Sequence, residues 1–178
     1  MRKHARRQAQ RRAGSSMRFV LVDNIVELVR GERIVTTKAV SADEEYLADH
    51  FPTFPVLPGV LMLQAMVESA AWLVRDALDF APSLILLSRA RNVTYKSFVK
   101  PGNLLTLKVT CRRLAQGESE FDGAGYCNET EVVKGRFSLT HSCLASNDET
   151  LAVLDRRLVS DAKALFDRLR EPLVRRTV

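Results

Sequence analysis

The sequence has few residues that could form covalent crosslinks or metal sites. Its three cysteines, Cys111, Cys127 and Cys143, are odd in number and include no C-x-x-C pair. This pattern excludes a disulfide framework and a cysteine-based zinc site. We expect the thiols to pack as small hydrophobic groups in a reducing cytoplasm.

Long apolar segments are also missing. No run approaches the roughly 20 apolar residues that a membrane-spanning helix needs. The N-terminal stretch lacks the apolar region of a secretory signal. The sequence therefore predicts a cytoplasmic protein with no membrane partner.

The net charge of +6 is concentrated in the first 16 residues, MRKHARRQAQRRAGSS, which hold six basic residues and no acidic one. Removing these six from the 27 basic residues leaves 21, equal to the 21 acidic residues of the chain. Nucleic-acid binding would therefore rest on this arm alone, and we do not expect it. The arm fits three interpretations: a disordered tail, an upstream extension before a working start at Met17, and an arginine-rich presequence for an organelle matrix.

The remaining sequence predicts one domain, residues 17–146, and a helical extension, residues 147–178. Runs of β-branched and alternating residues between turn signals are typical of antiparallel strands. The predicted strands are 18–29, 33–40, 84–98, 104–114, 119–128 and 131–142, with a short acidic helical turn at 43–49. In the extension, apolar residues recur at spacings of three and four after a cap at Asp148 or Thr150, which predicts an amphipathic helix.

Residues 59–78, GVLMLQAMVESAAWLVRDAL, are apolar around most of the helical circumference. A helix of this kind is buried. Pro58 suits its start, because the N–H that proline lacks would have no partner there. One buried helix followed by consecutive antiparallel strands predicts an α+β fold in which a curved sheet wraps around a central helix.

One histidine and three prolines lie directly before this helix, in residues 50–61, HFPTFPVLPGVL. The segment resembles the H-F-P-x-x-P-V-M-P-G-V-L signature of the 3-hydroxyacyl-[acyl-carrier-protein] dehydratases of bacterial type II fatty-acid synthesis. Residues 38–40 (KAV) resemble the K-x-V strand of that family, and residues 99–104 (VKPGNL) resemble its V-x-P-G-D-x-L turn. The resemblance spans about residues 20–142 and implies a hot-dog fold, in which a sheet wraps one long helix and two protomers pair.

The central helix departs from the pattern that this resemblance implies. The family reads P-G-V-L-x-x-E-A-x-x-Q, and its glutamate faces a histidine of the partner subunit. Here the acid position holds Gln64 and the glutamine position holds Glu68, so the two residue types have exchanged places. Glu68 lies one helical turn further on, and burial there would raise its pKa as a proton donor requires. It either replaces the missing acid or has a structural role, for example pairing with Arg89 or Arg91.

The resemblance also implies the roles of the site residues. His50 would remove the proton from C2 of a 3-hydroxyacyl thioester, and the N–H of Gly59 would polarise the thioester carbonyl. The amide of Gln64 can hydrogen-bond the leaving hydroxyl but has no acidic proton to give. We therefore expect dehydratase activity to be weak or absent unless Glu68 supplies the acid.

The implied substrate is an acyl thioester on acyl carrier protein or coenzyme A, bound by a homodimer or a larger hot-dog oligomer, and no metal or redox cofactor is implied. The residues expected to contact the acyl group are Phe51, Pro58, Val60 and Met62, although Met62 also fits the core. Acyl carrier proteins are acidic, so the docking candidates are the basic residues Arg89, Arg91, Lys96 and Lys100, which equally fit a plain solvated face.

Three functions agree with the sequence. The first is a dehydratase of fatty-acid or related acyl-chain biosynthesis. The second is a non-catalytic hot-dog subunit that binds an acyl carrier. The third is a thioesterase in which Glu68 activates water.

Overall fold

The computed structural model describes residues 20–51, 53–146 and 148–174 of the chain. The basic arm, Met17 and Pro52 lie outside these ranges, so the predictions for them stay predictions. Among the described residues, no helix is both long enough and apolar enough to cross a membrane.

Six antiparallel strands form one curved sheet in the order β1-β2-β4-β5-β6-β3. The strands are β1 (Asn24–Val29), β2 (Arg33–Ala39), β3 (Leu84–Tyr95), β4 (Leu104–Ala115), β5 (Glu118–Cys127) and β6 (Thr130–Ser142). Turns at Gly31, Gly102 and Gly117 have positive φ, which glycine adopts without strain. The predicted antiparallel sheet is confirmed, and β4, β5 and β6 begin and end within one residue of their predicted bounds.

The first and third strands are shorter than predicted. The segment before β1 does not continue the regular ladder. The Leu21 N–H donates to the Glu68 carboxylate, and Asp23 bonds to β2 once through its N–H, which donates to the Thr37 carbonyl, and once through its carboxylate, which accepts from the Ala39 N–H. β1 therefore begins only at Asn24. β3 ends at Tyr95, three residues before its predicted end.

The central helix α2 (Gly59–Ala77) follows the short helix α1 (Glu45–Asp49). It packs against five strands of the sheet, β2 to β6, and the close approach depends on Gly123 in β5. A Cβ at Gly123 would lie 2.8 Å from Sδ of Met66 and 3.0 Å from a ring carbon of Phe137. The glycine therefore lets helix and sheet come together without a void.

Burial of α2 is not uniform along its length. From Ala65 to Val74 all residues but Glu68 are buried, as the apolar pattern predicts. In the first two turns, Gln64 is exposed and Val60 has 65% of its surface exposed. The expectation of burial on nearly every face therefore fails for these turns, because no described residue covers this side of the helix.

The C-terminal helix α3 (Ala152–Val174) confirms the predicted extension. Asp148 caps the 3-10 turn before it by accepting from the Thr150 N–H at 2.9 Å. The ring of Phe166 lies 5.9 Å from that of Trp72, so α3 contacts the C-terminal half of α2. A carboxylate oxygen of Asp155 accepts from the Leu144 N–H at 2.6 Å, which anchors α3 to the end of β6.

Candidate active site

His50 lies where α1 ends, in the loop that leads to α2. Its Nδ1 lies 2.9 Å from the carbonyl oxygen of Val56. A carbonyl oxygen can only accept, so Nδ1 carries the proton, and in the neutral ring the lone pair is on Nε2. This hydrogen bond sets both the orientation of the imidazole and the nitrogen that can act as a base.

The loop around His50 is fixed at both ends. Val56 and Leu57 are buried, and the Leu57 N–H donates to the carbonyl of Val99 at 2.8 Å. Phe51 has a φ of +62°, which is uncommon for an aromatic residue, and its ring lies 4.5 Å from the imidazole. The strained residue and the buried anchors hold the histidine in place.

The N-terminus of α2 is the second part of the site. The carbonyl of Pro58 accepts from the N–H groups of Leu61 and Met62, at 2.9 and 3.3 Å. The N–H groups of Gly59 and Val60 have no partner among the described residues. They form the positive end of a 19-residue helix and can stabilise a negatively charged oxygen.

A tyrosine that the sequence analysis did not single out packs against this helix end. A Cβ at Gly59 would lie 3.1 Å from a ring carbon of Tyr95. Position 59 therefore has room only for glycine unless the tyrosine moves. Nothing in the spacing of Gly59 and Tyr95 links them, because 35 residues, which include the rest of α2 and most of β3, separate them.

Gln64 and Glu68 lie on successive turns of α2 but have different surroundings. Gln64 is exposed beside Val60 on the open face of the helix. Glu68 is turned inward, and its Oε2 accepts from the Leu21 N–H at 2.9 Å. Among the described residues it makes no ion pair with Arg89 or Arg91.

Burial raises the pKa of Glu68 to about 7. The Leu21 N–H and the Trp72 indole oppose this rise, although the indole makes no hydrogen bond of good geometry. More distant Lys38 and Arg75 also favour the charged form. Since Lys38 is occupied by Glu44 at 2.8 Å and Asp23 at 3.3 Å, it does not pair with Glu68 directly.

The raised pKa predicts how Glu68→Gln changes stability with pH. The folded protein favours the neutral carboxyl of Glu68. The contribution of this group to stability is therefore fully present below its pKa in the unfolded chain, and it is lost as the pH rises through the folded-state pKa of about 7. Above that pH the buried charge costs about 3 kcal/mol. The glutamine can still accept from Leu21 and has no charge, so we expect urea denaturation to show a gain of about that size at pH 8 and a much smaller gain at pH 5. The control is Glu129→Gln at an exposed position, which should leave the free energy of unfolding unchanged at both pH 8 and pH 5. A loss of stability in Glu68→Gln at pH 8 would contradict a costly buried charge.

The remaining predicted site residues differ in solvent exposure. Met62 is only 2% exposed and belongs to the core, whereas Val60 and Phe51 are exposed near the loop and the helix start. Pro58 is half-buried at the N-cap of α2. The four predicted docking residues, Arg89, Arg91, Lys96 and Lys100, are all exposed.

Two of these basic residues have local contacts. Lys96 pairs with Glu131 at 2.5 Å, and the Lys100 ammonium lies 4.6 Å from the ring centre of Phe54. Phe54 in turn makes an edge contact with the exposed Phe98 at 6.0 Å. Among the described residues, no group of three or more His, Cys, Asp or Glu side chains is arranged to hold a metal ion.

The fold defines a hot-dog protein, with a histidine in the loop that leads to the N-terminus of the central helix. Comparison with known sequences agrees, because the family model of the FabA-like domain matches residues 14–136. The chain belongs to this family, and its function is dehydratase-like.

Several relatives carry the name 3-hydroxyacyl-[acyl-carrier-protein] dehydratase FabZ, among them the following two. The protein of Variovorax paradoxus is 39% identical over 108 residues, which cover 59% of this chain and 72% of the relative. That of Paracidovorax citrulli is 35% identical over 130 residues, which cover 71% and 89%. The predicted resemblance to these dehydratases is therefore confirmed.

Solved structures share the fold at lower identity. The dehydratase heterocomplex ApeI:P from Xenorhabdus doucetiae has a TM-score of 0.60 at 19% identity, covering 74% of this chain and 89% of that one. The smu.793 protein from Streptococcus mutans bound to acetyl CoA has a TM-score of 0.53 at 15% identity, covering 71% and 94%. These similarities confirm the predicted fold.

Proposed function

We propose that the protein removes water from 3-hydroxyacyl groups held as thioesters on an acyl carrier protein, with His50 as the base. The observation that carries this proposal is the hydrogen bond from Nδ1 of His50 to Val56, which leaves Nε2 as the basic nitrogen. Gly59 follows Val56 by three residues and starts the helix whose free N–H groups can bind the thioester oxygen. Base and oxyanion donor are thus held by one short, anchored segment.

In the first half of the reaction, Nε2 of His50 takes a proton from C2. The electron pair moves into the thioester carbonyl and forms an enolate, whose oxygen accepts from the Gly59 N–H. In the second half, the pair returns to form the C2–C3 double bond, and the C3–O bond breaks. The leaving hydroxyl takes the proton back from the His50 imidazolium and departs as water.

Gln64 limits this reaction. Its amide can hydrogen-bond the leaving hydroxyl, but the protonation must come from the same imidazolium that took the C2 proton. A separate general acid typically contributes about 10²- to 10⁴-fold to a rate. We therefore propose a slow dehydratase. Glu68 does not supply the acid in this scheme, because its carboxyl is turned toward Leu21.

The proposal includes a homodimer. Two features of the described residues support it: the open face of α2 at Val60 and Gln64, and the outer edge of β3 with exposed Leu86 and Leu87. Two chains joined there would each place Gln64 near the His50 of the other. The acyl chain would then lie between the protomers, beside Val60 and Phe51.

The carrier would dock on the basic residues at the same end of the molecule. The mouth of the site combines exposed aromatic rings, Phe54 and Phe98, with the ammonium of Lys100. An acidic carrier protein fits this combination better than a small thioester does, because charge steers the encounter and the rings supply apolar contact.

A second candidate function follows from the amide at position 64. The protein would be the histidine-bearing subunit of a mixed dimer, in which a different hot-dog chain provides the acid. The similar structure from Xenorhabdus doucetiae is a dehydratase heterocomplex. Thioester hydrolysis with Glu68 activating water is less well supported, because that carboxyl is buried and bonded to backbone.

The test uses a crotonyl thioester of pantetheine or of carrier protein. Wild type should add water slowly, measured as loss of enoyl absorbance. His50→Ala should lower that rate by about 10²- to 10⁴-fold, because His50 is the one base in the proposed scheme. His50 is only partly buried and makes one hydrogen bond to the backbone, so we expect its replacement to lower the melting temperature by no more than a few degrees. Release of free thiol instead of loss of enoyl absorbance would indicate a thioesterase. Binding of the thioester with neither thiol release nor loss of enoyl absorbance would favour the histidine-bearing subunit of a mixed dimer.

A further inference from the structure

Tyr95 lies at the last position of β3, where its ring contacts the first residue of α2. Two adjacent ring carbons, Cδ1 and Cε1, lie 3.1 and 3.2 Å from the place of a Cβ on Gly59. Cε1 neighbours the carbon that bears the hydroxyl. The phenol therefore lies at the same end of α2 as the unpaired N–H groups of Gly59 and Val60.

The hydroxyl of Tyr95 is available to a ligand. It makes no hydrogen bond to any described residue, and the side chain is not enclosed, since the residue is 47% exposed. Burial of the rest of the ring raises the pKa of the phenol above its usual value. The group is therefore a protonated donor throughout the physiological range.

The chemistry of enolate formation calls for such a donor. The oxygen of an enolate carries most of the developing charge and is normally stabilised by two convergent donors. A phenol and a second donor do this in ketosteroid isomerase. At Gly59 the helix offers backbone N–H groups, and its N-cap residue Pro58 makes no side-chain capping hydrogen bond.

We propose that the Tyr95 hydroxyl is the second donor to the thioester oxygen, opposite the N–H of Gly59. This inference rests on the proposed function, because it assigns Tyr95 to the same reaction. It also accounts for the tight contact: the glycine admits the ring, and the ring holds the hydroxyl at the helix end. The donor is fixed before the substrate arrives, so no reorganisation is needed during the reaction.

The first test compares Tyr95→Phe with Tyr95→Ala in the crotonyl thioester assay. Phenylalanine keeps the contact with Gly59 and removes only the hydroxyl, so kcat should fall by about 10²-fold with little change in KM. Tyr126→Phe, at a tyrosine on β5 whose ring lies 5.0 Å from the Lys108 ammonium, is the matched control and should retain the full rate. A Tyr95→Phe enzyme as fast as wild type, with only Tyr95→Ala slow, would reduce Tyr95 to a packing residue and overturn the proposal.

The second test measures polarisation of the carbonyl without turnover. A crotonyl pantetheine thioester labelled with carbon-13 at C1 is bound to the His50→Ala protein, and its carbonyl resonance should move downfield from the free position. In the His50→Ala and Tyr95→Phe double variant the downfield shift should shrink by about half. Binding with an unchanged shift overturns the Tyr95 proposal and leaves the dehydratase proposal intact. A wild type that neither binds nor hydrates the thioester overturns both.

Discussion

Replacing Gln64 with glutamate is expected to raise the dehydratase rate by about 10²- to 10⁴-fold, the usual contribution of a general acid. Gln64 is exposed on the open face of α2, so the new carboxyl costs little in the folded protomer. In the proposed dimer it would lie at the His50 of the other chain and protonate the leaving hydroxyl. The measurement is the rate of enoyl hydration, determined over a range of pH because the variant gains a titrating acid.

Two controls make this result specific. Gln64→Leu has a similar volume and no hydrogen-bonding group, so it should not exceed the wild-type rate. Adding His50→Ala to Gln64→Glu should remove the gain, because the acid acts only after a base has taken the C2 proton. If Gln64→Glu remains as slow as wild type while binding the thioester normally, position 64 does not face the reacting hydroxyl, and the dimer geometry proposed here is wrong.

Introducing a charge at Ala70 should have the largest effect on folding. Ala70 is fully buried on the side of α2 that faces the sheet, and the nearby approach of Gly123 to Met66 leaves no space. An arginine there would be both overpacked and unpaired, with a cost above about 4 kcal/mol, close to the whole stability of a typical domain. We expect Ala70→Arg to be insoluble or molten, as judged by soluble yield and near-ultraviolet circular dichroism.

The matched control is Ala164→Arg, the same substitution on α3. Ala164 is exposed, so this variant should fold and melt within a few degrees of wild type. A soluble Ala70→Arg protein with a normal melting curve would place α2 at the surface. Leu63→Asp is a weaker test than the apolar pattern suggests, because Leu63 is only half-buried.

Local patterns predicted most of the fold. The turn glycines and alternating residues placed β4 to β6 within one residue, because each of these strands buries one face against α2. The prolines and glycine of the loop predicted the helix start at Gly59, and the histidine was the candidate base on which the proposed function rests. These features depend on neighbours in sequence, so a pattern can show them.

Contacts between distant segments could not be predicted. The Leu21 N–H donates to the carboxyl of Glu68, 47 residues away along the chain. Every residue except proline has a backbone N–H, so the residue types do not show which one binds Glu68. For the same reason β1 begins later than its β-branched run suggests. The ring of Tyr95 against Gly59 depends on how β3 ends beside α2, which requires the assembled sheet.

The free edge of β3 has a consequence for assembly kinetics. β3 is the last strand in the sheet order, and no described residue pairs with its outer edge. An unpaired edge with exposed Leu86 and Leu87 is a template for non-native pairing, which Arg89 and Arg91 on the same strand oppose by charge. In the proposed dimer, pairing of two chains is second order in concentration, so newly made protomers would spend the longest time unprotected when they are scarce. Dilution, which slows most aggregation, would here prolong the state in which this edge is open.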